Sequence, residues 1–268
     1  MGTLDPEKII LEFISDMHYL ENKHVLGCYF YGSYLTGLNH KGSDIDLHIV
    51  FDDSDKDHLI RGTKYSSGIK IEYFEKPISD LYLSIDNGFY FRNAAWLSII
   101  GTSRILFDKT GALARLQEYA RDVYNKPLPR LDDESIKERV SIINNRMEKL
   151  EEFANNGAPN FVHLYHLTID KIRRFYHDRK GLAQVQTSKV YRVYTDNRYR
   201  ESYSGYEIPE PEFVEMYLDA ISDDSSSYPQ RFEKLKQLYE YATRDLDLGD
   251  EYRILIKSRN TPFGQTKV

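Results

Sequence analysis

Two aspartates, Asp44 and Asp46, stand two residues apart where an apolar run begins, Ile45 to Phe51 (IDLHIVF). In an extended segment, side chains at i and i+2 share a face, so the spacing predicts two carboxylates held side by side. Like charges that close repel, and a hard cation relieves the repulsion; the alternative is a pair of solvated acids at a strand mouth. Upstream, Gly32-Ser33 follows a second apolar run, His24 to Tyr31 (HVLGCYFY). Backbone amides at the start of a helical turn point outward and suit a phosphate. Gly32 would let a phosphate approach the backbone, the Ser33 hydroxyl could donate to it, and Gly37 would keep the turn tight. The alternative is an ordinary turn with Ser33 as its N-cap.

Several elements must position these groups. Asp5-Pro6 reads as a helix start, with Ile9, Ile10, Phe13, Ile14 and Met17 at helical spacing through about Leu20. The runs 24–31, 45–51, 69–74 (IKIEYF) and 104–107 are β-branched or aromatic and predict strands, and 33–38 predicts one helical turn. Helices are expected over about 93–100 and 112–124. Lys126-Pro127-Leu128-Pro129 is a stiff linker, because proline fixes φ and biases its predecessor away from helix. Beyond it, helical patterns run over 133–155, 161–179, 212–221 and 230–246, with the loop SDDSSSYPQ between the last two. The expected organisation is a mixed α/β domain over residues 1–128 and a helical domain over 129–268. The tail after Ser258 shows no pattern.

The full pattern over Gly32 to Leu47 is Gly-Ser, three residues, Gly, five residues, then Ser-Asp-Ile-Asp-Leu. It resembles the signature of the nucleotidyltransferase superfamily that includes DNA polymerase β. The resemblance implies an α+β fold: a mixed sheet with flanking helices, then a C-terminal helical bundle. It also implies that Gly32 and Ser33 bind nucleotide phosphates and that Asp44 and Asp46 hold magnesium, two ions in all. A third carboxylate usually comes from a neighbouring strand. Glu72 is the candidate, where the family more often has Asp; Glu75 is the runner-up, and a surface acid is the alternative for Glu72. The implied reaction moves a nucleoside monophosphate, AMP from ATP by family habit, onto an acceptor hydroxyl and releases pyrophosphate.

The helical second half, and the strand-then-helix segment RILFDKTGALARLQEYA, resemble the small-molecule nucleotidyltransferases, such as the aminoglycoside and lincosamide resistance enzymes. The acceptor implied is a small hydroxyl compound such as an antibiotic. Modification of a protein or RNA partner, as in antitoxin-type nucleotidyltransferases, and a non-catalytic nucleotide-binding module are the alternatives. Gln186-Thr187-Ser188-Lys189 resembles a Ser-Lys element of these bundles, in which Lys189 would reach the triphosphate. The basic-aromatic run KVYRVYTDNRYR is either a nucleotide or phosphate wall or an amphipathic surface segment; Arg198 and Arg200 read as surface cations, and Lys189 stays open between the two. Asp170 and Glu215 are among many acids that could take the acceptor proton.

Composition narrows the classes. Lys plus Arg is 36 against 42 Asp plus Glu, a net charge of −6, which disfavours a charge-driven nucleic-acid binder. The 22 tyrosines suggest many half-buried rings with wet hydroxyls. The single cysteine, Cys28, excludes an intrachain disulfide, reads as a core residue and fits a reducing, cytoplasmic setting. No run approaches a membrane span, the N-terminus lacks a basic leader, and Pro6 stands where a myristoylation motif after Gly2 needs Ser or Thr. His163 and His166, three apart, have no further Cys or His cluster to complete a metal site. His48 and Trp96 read as structural. The acids at Asp52, Asp53, Asp55 and Asp57 read as a solvated turn.

Overall fold

The apolar runs of the first half pair into one sheet. Helix α1 (Pro6–Asp16) begins at Asp5, whose carboxylate accepts from the Glu7 amide, and it buries Ile9, Ile10, Phe13 and Ile14. Then follow β1 (Val25–Tyr31), the short α2 (Ser33–Thr36), β2 (Ile45–Phe51), β3 (Ile60–Ser66), β4 (Ile69–Pro77), α3 (Ile78–Tyr90), a π-helical turn at Leu97–Gly101, β5 (Arg104–Asp108) and α4 (Ala112–Tyr124). The five strands lie in the order β3-β4-β2-β1-β5. The β2–β4 pair is parallel and the other three pairs are antiparallel. This computed structural model describes residues 5–203, 207–222 and 226–247. Gly2, the middle of the 222–230 loop and the tail after Ser258 lie outside the described residues.

The pleat sorts the side chains. Ile45, Leu47, Ile49 and Ile71 face a core completed by Phe13 and Ile14 of α1 and by Cys28 and Phe30. Tyr29 and Val50 face a second core with Leu81 and Ile85 of α3 and with Leu113 and Leu116 of α4. Burial on both faces explains why β1 and β2 read as nearly continuous apolar runs. Where a helix was expected over about 93–100, the chain is helical over 95–101, with a π-helical turn at Leu97–Gly101, and Asn93 instead forms an isolated bridge with Gln184. Two elements of this first half were not foreseen. Strand β3 (IRGTKYS) lies at the sheet edge with an exposed, polar pattern, and α3 buries only Leu81, Ile85 and Gly88.

The second half supplies α5 (Asp133–Asn156), α6 (Phe161–Lys180), a 3-10 turn at Thr187–Lys189, α7 (Val190–Thr195), α8 (Asn197–Ser202), α9 (Pro211–Ser222) and α10 (Tyr228–Thr243). The architecture is thus a mixed five-stranded sheet with helices, followed by a helical region, the α+β class expected. The chain divides into two compact units, 1–130 with 180–210, and 131–179 with 211–268. The division at 130 falls next to the proline linker, whereas residues 180–210, expected among the helices of a second domain, pack with the sheet. The second unit has its own aromatic core, in which Tyr176 and Phe213 stack with centroids 4.0 Å apart. Arg173, fully buried there, is held by Asp170 at 2.7 Å.

On β4 the pleat separates the two candidate third carboxylates. Glu75 lies on the α1 side of the sheet, buried, where it accepts a 2.6 Å hydrogen bond from the Tyr19 hydroxyl and contacts His58 Nε2 at 2.7 Å. Glu72, three residues away, faces the other side. Glu75 is therefore a tether of the 52–59 loop and the end of α1 to the sheet, and is not brought to Asp44 and Asp46. Glu75→Ala is expected to lower stability by about 1–3 kcal/mol, since it orphans a buried hydroxyl. The measurement is the urea midpoint at unchanged slope; a midpoint equal to the parent's refutes the tether.

Candidate active site

Pairing in register assembles the site. On β2 and β4, Asp46 stands directly beside Glu72, and on β1 Tyr31 stands opposite Asp46. Asp44 precedes Asp46 by one pleat repeat, so all three carboxylates converge on one face. Their ligand-capable oxygens lie within 4.8 Å of one another, and they form the only such group of three His, Cys, Asp or Glu side chains among the described residues. His163 and His166 join no such group.

The turn after β1 closes on the same carboxylates. Gly32 has φ +85° and ψ −163°, a conformation open essentially to glycine alone. A Cβ built on Gly32 would come within 2.1 Å of Asp46 Oδ2. The glycine therefore lets the backbone of the turn and the Asp46 carboxylate occupy adjacent space. Ser33 opens α2, but Gly32 is the capping residue and no side chain caps the turn. Gly37 ends the turn in the left-handed region at φ +69°.

Charge is unevenly distributed across the cluster. Burial, then the Asp44 and Glu72 charges, pushes the Asp46 carboxyl up to about 7, with Lys189 and Lys70 opposing the shift. Glu72 is held below the usual carboxylate range, first by its hydrogen bond from Lys70 and further by Arg61. Lys70 Nζ reaches Asp44 Oδ2 at 3.4 Å and also pairs with Glu72, so one ammonium bridges two of the three acids. Three hard oxygen donors, one reluctant to ionise without a neighbouring cation, fit a divalent ion of the magnesium class.

A cavity of about 230 Å³ opens on this face, lined by Gly32, Ser33, Asp46, Lys189, Tyr199 and Tyr203 among others. Lys189 enters it from the 3-10 turn, with Nζ 5.7 Å from the Tyr203 ring centroid. Burial lowers the Lys189 ammonium and Asp46 raises it. The Tyr203 hydroxyl is hydrogen-bonded to Thr36, which joins α2 to the 180–210 segment. Thus Gly32, Ser33, Asp44, Asp46, Glu72 and Lys189 all meet in one region of the first unit.

The remaining candidates have other partners. His48 is buried between Tyr31 and Phe74, its ring centroid 5.2 Å from each. Burial holds its imidazole down at about 3, and neither ring nitrogen has a hydrogen-bond partner. Arg200 donates to the Val193 carbonyl at 2.8 Å, and Arg192 covers the Tyr199 ring. Asp170 is clamped by Arg173 and Arg174. Lys70, Tyr199 and Tyr203 were missed. Lys70 could have been found from its i−2 spacing to Glu72 on the same strand face; nothing local marks the tyrosines, which arrive from a distant segment.

Comparison with known proteins follows this geometry. Residues 7–93, which include β1, the glycine turn, β2 and β4, match the family described as the nucleotidyltransferase domain. Among curated proteins no sequence matches. A solved structure of a nucleotidyltransferase-like protein from Exiguobacterium sibiricum 255-15 is similar at 11% identity and a TM-score of 0.47, over 90% of this chain and 75% of that one. The segment of the chain that carries all three carboxylates and the glycine turn thus lies within a match to the nucleotidyltransferase domain family.

Proposed function

We propose that this protein transfers a nucleoside monophosphate from a nucleoside triphosphate, ATP in the first instance, to the hydroxyl of a small acceptor. The observation that carries the proposal is the convergence of Asp44, Asp46 and Glu72 beside the Gly32-Ser33 turn. Acids alone could serve many metal enzymes. Acids against a glycine turn that cannot accept a side chain make room for phosphate next to metal.

In this mechanism Asp44, Asp46 and Glu72 would hold the magnesium ions, which would supply positive charge against the triphosphate and favour in-line attack at the α-phosphorus. Ser33 donates its hydroxyl, and the amides of the turn their N–H groups, to the distal phosphates. Lys189, already in the cavity with Asp46, adds a positive charge against the triphosphate. Lys70 offsets the carboxylate repulsion while the cluster is empty of cations. As the acceptor oxygen bonds to the α-phosphorus, the bond to the bridging oxygen breaks and pyrophosphate leaves with the electron pair. The acceptor proton passes to a base or to solvent.

Asp44→Asn or Asp46→Asn is expected to abolish pyrophosphate release while the protein stays folded; near-parental turnover in either removes the assignment. Glu72→Gln should follow them and Glu75→Gln should not. Ser33→Ala should weaken triphosphate binding by about 1.5–3 kcal/mol, the scale of a hydrogen bond to a charged group, as read by calorimetry.

The pH dependence has a defined sign. Asp46 is raised from 3.8 to about 7 in the fold, so its charge opposes folding increasingly as pH climbs between those values. Without metal, Asp46→Asn should melt higher than the parent at about pH 8, with the gap closing toward about pH 4. Magnesium must displace the same proton, so its affinity should fall as pH drops below about 7. A pH-independent affinity refutes the Asp46 ligand.

The bond that breaks is tested with labelled ATP. The α label should appear on the acceptor and the γ label in pyrophosphate. Transfer of the γ label would make the protein a kinase and overturn the proposal. Label on a protein or RNA with no small molecule accepting it would move the acceptor class.

A further inference from the structure

A larger cavity, about 460 Å³, lies in the first unit, within the size range of small-molecule sites. Its polar rim carries Lys126, Arg130 and Lys180 against Glu207, with Tyr124 and Tyr203 supplying aromatic surface. Lys180 also pairs with Glu210 at 3.5 Å. Among the described residues no carboxylate pairs with Lys126 or Arg130. In a chain of net charge −6, this is a local excess of positive charge.

The cavity adjoins the carboxylate site. Asn93 and Ala95 line the smaller cavity while Ala94 between them lines the larger; Gln184 lines the smaller and its neighbour Ala183 the larger. Asn93 and Gln184 are bridged. The two cavities are therefore lined by neighbouring residues of the same two segments, and Tyr203 borders both. Those segments are held to one another by hydrogen bonds. The Gln184 amide donates to the Arg92 carbonyl at 2.6 Å, the Arg92 side chain donates to the Pro129 carbonyl at 2.5 Å, and the Tyr124 hydroxyl donates to the Asn93 carbonyl at 2.7 Å. Three distant stretches of chain are thus stitched together around one opening.

We infer that this second cavity is the acceptor site, and that the acceptor is a small anionic hydroxyl compound, carrying a phosphate or carboxylate held by Lys126, Arg130 and Lys180. The inference rests on the nucleotidyl-transfer proposal for the word acceptor, though not for the binding of the anion. Its physical ground is charge: bringing a polycation to this rim would add like charges beside Lys126 and Arg130, whereas an anion finds those two cations without a carboxylate partner among the described residues, Lys180 beside them shared with Glu210, and flat rings for its body. An aminoglycoside is disfavoured by the same term.

The test uses glucose 6-phosphate and 4-hydroxybenzoate as anionic probes, with glucose and kanamycin as neutral and polycationic controls. Binding is read by ligand-observed NMR without nucleotide or metal, on the parent, on Lys126→Gln/Arg130→Gln and on Ser33→Ala/Lys189→Gln. At least one anionic probe should bind the parent more tightly than either control. The Lys126/Arg130 variant should weaken it at least tenfold, and the Ser33/Lys189 variant should hold it within about twofold. Lys126→Gln alone, at an exposed position, should show part of the loss if the double variant misfolds. Equal binding to the Lys126/Arg130 variant, loss confined to the Ser33/Lys189 variant, preference for kanamycin or absence of anion binding overturns the inference. Under turnover, Lys126→Gln/Arg130→Gln should raise KM for an anionic acceptor and leave KM for ATP unchanged. Failure of α-label transfer with the anion site intact would strike the transfer proposal instead.

Discussion

Three carboxylates within 4.8 Å of one another impose the dominant electrostatic constraint on the first unit. Their mutual repulsion must be held by something stiffer than the side chains themselves. The parallel β2–β4 pairing does this by setting Asp46 beside Glu72, with apolar residues on the alternate positions anchored in a core. The remaining strain is electrostatic: Asp46 retains its proton up to about 7 while Lys70 bridges the other two acids. Under the proposed function, a bound cation would relieve this repulsion.

The close approach of the turn to this cluster follows from the same economy of space. Gly32 lies where a Cβ would overlap the Asp46 carboxylate, so backbone and acid meet with no side chain between them. Tyr203, bonded to Thr36, fastens the turn to a segment far along the chain. The site is therefore made of two parts: a sheet that fixes the acids, and residues 180–210 that wall the adjoining space. Of these, the sheet lies within the match to the nucleotidyltransferase domain family, and the wall lies beyond it.

The return of residues 180–210 also shapes both cavities. Lys189 and Tyr203 stand at the smaller cavity, and Lys180 and Glu207 at the larger one. A single excursion of chain thus contributes to both, which would couple changes in one opening to the shape of the other. The acidity of the whole chain says nothing about this local excess of cations, because net charge averages over surfaces that no ligand touches at once.

Sequence alone determined the parts whose geometry is local. The i, i+2 spacing of Asp44 and Asp46, the glycine-serine turn, the apolar runs of β1 and β2 and the alternation in β4 are written in neighbouring residues, because these patterns depend on nothing further away. Helices α4, α5, α6 and α9 were legible within a residue or two for the same reason. Strand β3 was not, since an edge strand with one exposed face needs little apolar pattern. Glu72 and Glu75 remained rivals until pairing register assigned each to a face of the sheet. The membership of residues 180–210 in the first unit, and with it Tyr203, the neighbouring linings of the two cavities and the ring of cations, was decided only by tertiary structure: these contacts join Arg92, Pro129 and Gln184, and contacts across such separations leave no periodic trace in the chain that makes them.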